Sequence, residues 1–175
     1  IRGLVRSRGL GDVYKRQTFD PGGGGDSDSH GSHVCGIIGA RPPASSVDLV
    51  GIAPGVDLFC ARVFPPGEGA NQGDIADAID FLSKDHEADL INLSLGAPMP
   101  SEIERDAIRD ALERGTLCIC AAANSAGPVE FPAAFPDSVA VSALGLEGWG
   151  PDGTLASMRQ PSEREKYGSS RMYLA

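Results

Sequence analysis

Apolar positions in this chain recur with two different periods, and the alternation between them predicts the fold. Residues 56–64, VDLFCARVF, form a continuous β-rich run closed by Pro65-Pro66-Gly67. Residues 71–87 then carry Ile75, Ala78, Ile79 and Leu82 at helical spacing, with Asp74 near the N-terminus, where the helix dipole favours a carboxylate. His86 falls on the polar side of this helix and is expected to be solvated. ADLINLSL follows as a strand. Residues 100–115 read as a second helix, with Pro100 and Ser101 at its start, Ile103, Ala107, Ile108, Ala111 and Leu112 on one stripe, and Gly115 as its stop. TLCICAAA (116–123) and DSVAVSAL (137–144) are two further strands.

An earlier helix is predicted from Ser29, which is available as an N-cap, with Val34, Ile37 and Ile38 on its apolar face and an end before Pro42-Pro43. Gly31, Gly36 and Gly39 each cost about 1 kcal/mol relative to alanine in a helix. Three in one short helix imply that another stretch of backbone passes close by. Apolar strands separated by amphipathic helices indicate an α/β fold, a three-layer, doubly wound, mostly parallel sheet covered on both faces. Working residues in such sheets collect at the carboxyl ends of the strands, here residues 93–96 and 121–124.

With 175 residues, 41% of them hydrophobic and 22% charged, the chain suits one globular domain. Its longest apolar runs fall far short of the roughly 20 residues that cross a bilayer, so no membrane partner is expected. The formal net charge is −9 but is unevenly spread: residues 1–17 hold five bases and one acid, leaving −13 for residues 18–175. That surface repels phosphate backbones, which argues against a nucleic-acid partner. The basic head lacks the apolar central region of a signal peptide. Its GLGDVYKRQ resembles translated adapter sequence, so residues 1–17 are expected to be non-native or disordered and are set aside from the fold, leaving residues 18–175 as the domain.

Cys35, Cys60, Cys118 and Cys120 show no zinc-ligand spacing and lie in apolar surroundings. They read as buried thiols acting as small hydrophobes, with 118 and 120 on one strand face. TFDPGGGGDSDS (18–29) reads as an exposed loop: no strand precedes its glycines, as a dinucleotide loop would require. Its DSDS could offer oxygen ligands but lacks the order of a calcium loop, and no metal or cofactor is expected. After residue 150 the chain turns polar and aperiodic, ending at Ala175 as if an element had barely begun; the domain is expected to be truncated at both ends.

Three segments carry candidate chemistry: HGSHVCG at 30–36, INLSLG at 91–96 and AAANSAG at 121–127. In that order, and continued through GIAPGVDLFCARVF and FPAAFPDSVAVSA, they resemble the subtilisin-like serine proteases, or subtilases, over most of residues 28–145. The resemblance implies a serine endopeptidase with triad order Asp, His, Ser. His30 matches the family's catalytic histidine, with Ser32 in place of the usual threonine. Asn124 matches the oxyanion asparagine. Ser94, Leu95 and Gly96 match the edge that pairs with an extended peptide or protein substrate, Gly96 leaving room for a substrate side chain. Ala121, Ala122 and Ala123 match one wall of the primary specificity pocket. His33 reads as a structural histidine: metal helices of the zincin type space their histidines i, i+4 and add a glutamate, absent here.

Ala123 stands where the family usually has glycine, so a positive φ there would strain alanine, and its methyl would narrow the pocket. Cys35 replaces a customary alanine. No Asp-Thr-Gly-like motif precedes His30, Asp20, Asp26 and Asp28 lying too close to it, and no Gly-Thr-Ser-Met-Ala-like motif follows; Ser157, Ser169 and Ser170 have the wrong neighbours. The chain is therefore expected to be part of a protease catalytic domain that is inactive alone. The alternative is a pseudoenzyme that binds peptides without cleaving them. Compartment, oligomeric state and substrate preference are not legible, and secretion is implied only by the resemblance.

Overall fold

The computed structural model describes residues 29–41, 50–125 and 127–142, together with the backbone of residues 4–6 and 15–18. Asp20, Asp26, Asp28, the glycine run at 22–25 and Ser157, Ser169 and Ser170 lie outside the described residues.

Two three-stranded sheets carry the fold. In one, β3 (Asp57–Arg62) lies between β1 (Leu4–Arg6), antiparallel to it, and β2 (Lys15–Thr18), parallel to it. Residues set aside from the fold by the sequence reading thus contribute to two strands. In the other, β5 (Leu117–Ala121) lies between β4 (Leu90–Leu93) and β6 (Ser138–Val141), all parallel. The sheets adjoin where β1 runs beside β4.

Layering follows from strand alternation, because successive side chains point to opposite faces. On β3, Phe59 and Ala61 join the large core with α2 (Gln72–Asp80) and α3 (Glu102–Glu113). Leu58 and Cys60 point the other way, onto Cys35 of α1 (His30–Gly39). Helices therefore cover both faces of this strand, as the sequence reading expects. Ile79, Ile91, Ile108, Ala111 and Cys120 are wholly excluded from water in the large core. All four cysteines are buried reduced thiols; Cys35 and Cys60 meet Sγ to Sγ at 3.4 Å, and burial pushes Cys118 and Cys120 up to about 12.

Caps explain where α2 and α3 begin. The Asn71 side chain accepts from the Gly73 amide at 2.7 Å, and Ser101 Oγ accepts from the Glu104 amide at 3.3 Å. Gly115, at φ +90°, ends α3 as expected. Asp80, at the end of α2, receives Lys84 at 2.7 Å and Arg114 at 2.8 Å, tying the ends of the two packed helices together.

Three details differ from the sequence reading. Ser29 does precede α1, but at φ 64° with no side-chain cap; its backbone carbonyl accepts from the His33 amide at 3.0 Å. The buried face of α3 is Glu104, Ala107, Ile108 and Ala111; Ile103 and Leu112 are exposed, since small alanines let the helix approach the sheet along their own line. Finally, α2 runs into a π-helical turn, Phe81–Asp85. Its wider winding shifts the phase of the residues beyond it. His86, expected to be solvated, instead sits against Phe59 and Phe81 with ring centroids at 4.5 Å to each.

Candidate active site

His30 opens α1, half-buried, with Nδ1 shielded from solvent. Its position depends on how α1 is held, and both ends of the hold are visible. Cys35 seats the middle of the helix on β3. The carbonyls of Ile37, Ile38 and Ala40, orphaned at a helix end, accept from the amides of Ile52, Ala53 and Gly51 at 2.9, 2.7 and 3.0 Å. This is the close backbone passage that the helix glycines imply. The crowded glycine is Gly51 on the passing segment, whereas a Cβ on Gly36 would meet nothing and one on Gly39 would press on the Leu58 side chain at 3.0 Å and meet the Ala53 carbonyl at 3.6 Å. His33 is exposed. Among the described residues no group of three or more His, Cys, Asp or Glu gathers as a metal site.

The second part of the site lies where β4 and β5 end. These strands pair with Leu93 opposite Cys120, and the same offset carried three residues on sets Gly96 opposite Ala123. A Cβ on Gly96 would lie 2.9 Å from the Ala123 methyl and 3.5 Å from Glu130 Oε2. Ser94 and Leu95 are half-buried, Ser94 Oγ accepting from Asn92 Nδ2 at 2.9 Å, and Gly96 is exposed. Ala121 and Ala123 are half-buried, Ala122 is buried, and Asn124 stands exposed just beyond them. The structure thus brings the 94–96 edge and the 121–124 segment together at adjoining strand ends. His30 is attached to the fold separately, through α1 and β3.

Ala123 has φ 78°, the left-handed region that the sequence reading identifies as straining alanine. Its methyl points at Gly96. Ala123→Gly is expected to raise stability by up to about 1 kcal/mol, the relieved strain being partly offset by the greater freedom of glycine in the unfolded chain. Urea unfolding at unchanged m-value measures this; a loss of stability would show that the methyl packs favourably.

A third segment closes this corner. The Glu130 amide donates to the Ala122 carbonyl at 3.3 Å, and Phe131 exchanges both backbone hydrogen bonds with Ala97, at 2.8 and 2.9 Å. Ser138 Oγ lies 3.0 Å from the carbonyls of Pro132 and Phe135, steadying the turn that leads into β6. Sequence reasoning missed Glu130. It belongs to no periodic element, and its only signal is its place immediately before FPAAFPDSVAVSA.

The subtilase family model matches residues 11–171. The minor extracellular protease Epr of Bacillus subtilis (strain 168) is 36% identical over 120 residues, 67% of this chain and 18% of that protein. Subtilisin Savinase of Lederbergia lenta is 33% identical over 119 residues, 67% of this chain and 43% of that protein. Among solved structures, sphericase is similar with a TM-score of 0.66 and 26% identity, over 80% of this chain and 50% of its own. The S41 psychrophilic protease has a TM-score of 0.61 and 32% identity, over 66% and 40%. The chain spans less than half the length of these curated relatives. Among the described residues no helix is long and apolar enough to cross a membrane.

Proposed function

Because this chain belongs to the subtilase family, we propose that it forms the base-and-oxyanion part of a serine endopeptidase that cleaves peptide bonds through an acyl-enzyme. His30 takes the proton of the nucleophilic hydroxyl and later returns it to the leaving amine. Asn124 donates its side-chain N–H to the developing oxyanion. Residues 94–96 pair with an extended peptide by strand addition, and residues 121–123 wall the slot beside it. The reading requires His30 and Asn124 to face one cleft.

The observation that carries it is the approach of Gly96 to Ala123. It continues the β4–β5 register past the strand ends and so supports a substrate edge adjoining the oxyanion residue, which follows Ala123 directly. The exposure of Asn124 and the half-burial of His30 suit groups that must meet a substrate.

The Asp-Thr-Gly-like and Gly-Thr-Ser-Met-Ala-like motifs do not occur in these 175 residues. Without the nucleophile no acyl-enzyme forms, and without the carboxylate the tautomer of His30 is not fixed. The polypeptide alone is accordingly expected to hydrolyse casein or a fluorogenic peptide no faster than its His30→Ala variant. Joined to flanking sequence that supplies both motifs, it is expected to gain activity and to lose at least about 10³-fold of it on His30→Ala. Turnover by the 175-residue chain that depended on His30, or an extended enzyme indifferent to His30, would overturn the proposal.

A further inference from the structure

We propose that Cys35 and Cys60 form an oxidative modification site: a peroxide joins them in a disulfide that clamps α1 to β3, and a dithiol reductant releases the clamp. It depends on how α1 docks and not on the catalytic roles of His30 and Asn124, so either reading can fail alone.

These two thiols meet across elements. Strand alternation sends Leu58 and Cys60 to the face of β3 opposite Phe59 and Ala61, and that face receives α1. Cys35 lies in the middle of the helix, and its Sγ stands 3.4 Å from that of Cys60, although 25 positions separate the two along the chain. A disulfide sets its sulfurs about 2.0 Å apart, so the pair has only about 1.4 Å left to close. Cys118 and Cys120 are placed differently. They lie in the large core on one face of β5, and burial pushes both up to about 12, which leaves them protonated and unreactive at neutral pH. Oxidation is thereby directed to the α1–β3 contact.

Cys35 is 9% exposed against 1% for Cys60, so it meets a peroxide first. Its thiolate attacks one peroxide oxygen and the O–O bond breaks. The displaced hydroxide takes up the thiol's proton and leaves as water, and Cys35 is left as a sulfenic acid. Cys60 then attacks the sulfenic sulfur: the S–S bond forms, the S–O bond breaks, and the hydroxyl leaves with the Cys60 proton as a second water. The sulfurs lose two electrons and one hydrogen peroxide becomes two waters. A dithiol returns the electrons and protons by thiol–disulfide exchange.

The carbonyls at the end of α1 are already held by the amides of residues 51–53. The new bond fixes the middle of the same helix, on the side where it begins with His30. It also closes residues 35–60 into a loop, which restricts the unfolded chain more than the folded one. The oxidised chain should therefore unfold at higher denaturant, and α1 should open less often.

The test treats the folded 175-residue chain with hydrogen peroxide, alkylates the remaining thiols after denaturation, and maps the peptides by mass. A Cys35–Cys60 linked pair is expected, with Cys118 and Cys120 recovered alkylated. The urea midpoint is expected to rise, and the α1 amides to exchange hydrogen at least about tenfold more slowly. Dithiothreitol added to the same sample should return both readings, a control that needs no variant. Cys60→Ala is expected to show neither effect and to carry Cys35 on to sulfinic acid. A linked pair other than Cys35–Cys60, or Cys35 oxidised to sulfinic acid while Cys60 is recovered alkylated in the unaltered chain, would overturn the site. A Cys35–Cys60 bond that leaves the midpoint and the exchange of α1 unchanged would overturn the clamp.

Discussion

Gly51→Ala is expected to cost the chain about 3 kcal/mol or more and to loosen the helix that bears His30. A Cβ at position 51 would lie 2.4 Å from the Ala40 nitrogen, 2.6 Å from the Gly39 nitrogen and 2.7 Å from the Gly39 Cα. These are backbone atoms, which cannot rotate aside. Relief requires the 51–53 segment to move off α1, and that breaks hydrogen bonds from the Gly51, Ile52 and Ala53 amides to helix-end carbonyls. Overpacking alone costs about 1–3 kcal/mol, and each bond lost at the helix end adds about 1 kcal/mol. Urea unfolding measures the loss, and hydrogen exchange of the α1 amides tests its location. Wild-type stability in the alanine variant would show that residue 51 does not run against the end of α1. Gly36→Ala is the internal control, since the new methyl there meets open space.

The second large effect is one of pH. Glu104 is 6% exposed, on the face of α3 that packs into the core, and burial raises its carboxyl from 4.5 to about 7. A raised carboxyl means that the folded chain holds its proton where the unfolded chain has released it. Stability from this group is therefore fully present below about pH 4.5, is lost as pH rises toward 7, and stays lost above. The difference amounts to about 3 kcal/mol between the two limits. Glu104→Gln keeps the shape without the charge and is expected to flatten the profile between pH 4.5 and 7 and to raise stability at pH 8 by up to that amount. Denaturation midpoints across this range decide the matter; a variant with the same slope as the parent would assign the slope to another group. Asp80 works in a different window. Burial alone would raise its carboxyl, but the hydrogen bonds from Lys84 and Arg114 hold it below 3.8, so its contribution is present at neutral pH and lost in acid.

Glu104 also shows where periodicity stops being informative. The stripe of Ile103, Ala107, Ile108, Ala111 and Leu112 locates α3 along the chain, yet the buried face turns slightly so that Glu104 goes inward and Ile103 outward. Hydropathy ranks isoleucine as the residue to bury. Contact geometry prefers the line of small alanines, along which helix and sheet come closest, and Glu104 lies on that line next to the capping Ser101. His86 departs from expectation for a related reason: α-helical phase does not carry through a turn that is π-wound. At the candidate site, the meeting of the strand ends at 93–96 and 121–124 is legible because neighbouring parallel strands end on the same side of their sheet, whereas the strain at Ala123 is that of a methyl-bearing residue at a left-handed position. Glu130 is not legible.

What the sequence determined by itself is therefore local: the alternation of apolar runs and amphipathic stripes, the start of α3 at Ser101 and its stop at Gly115, and the order of segments that mark a subtilase. Only the tertiary structure decided which glycine carries the close approach, that Gly51 is crowded while Gly36 is not, and that the Glu130 carboxylate overhangs Gly96. The physical reason is one of range. Backbone sterics and side-chain periodicity act over a few residues and are written along the chain, whereas which distant segments touch depends on sheet register and helix docking, set by the whole core together.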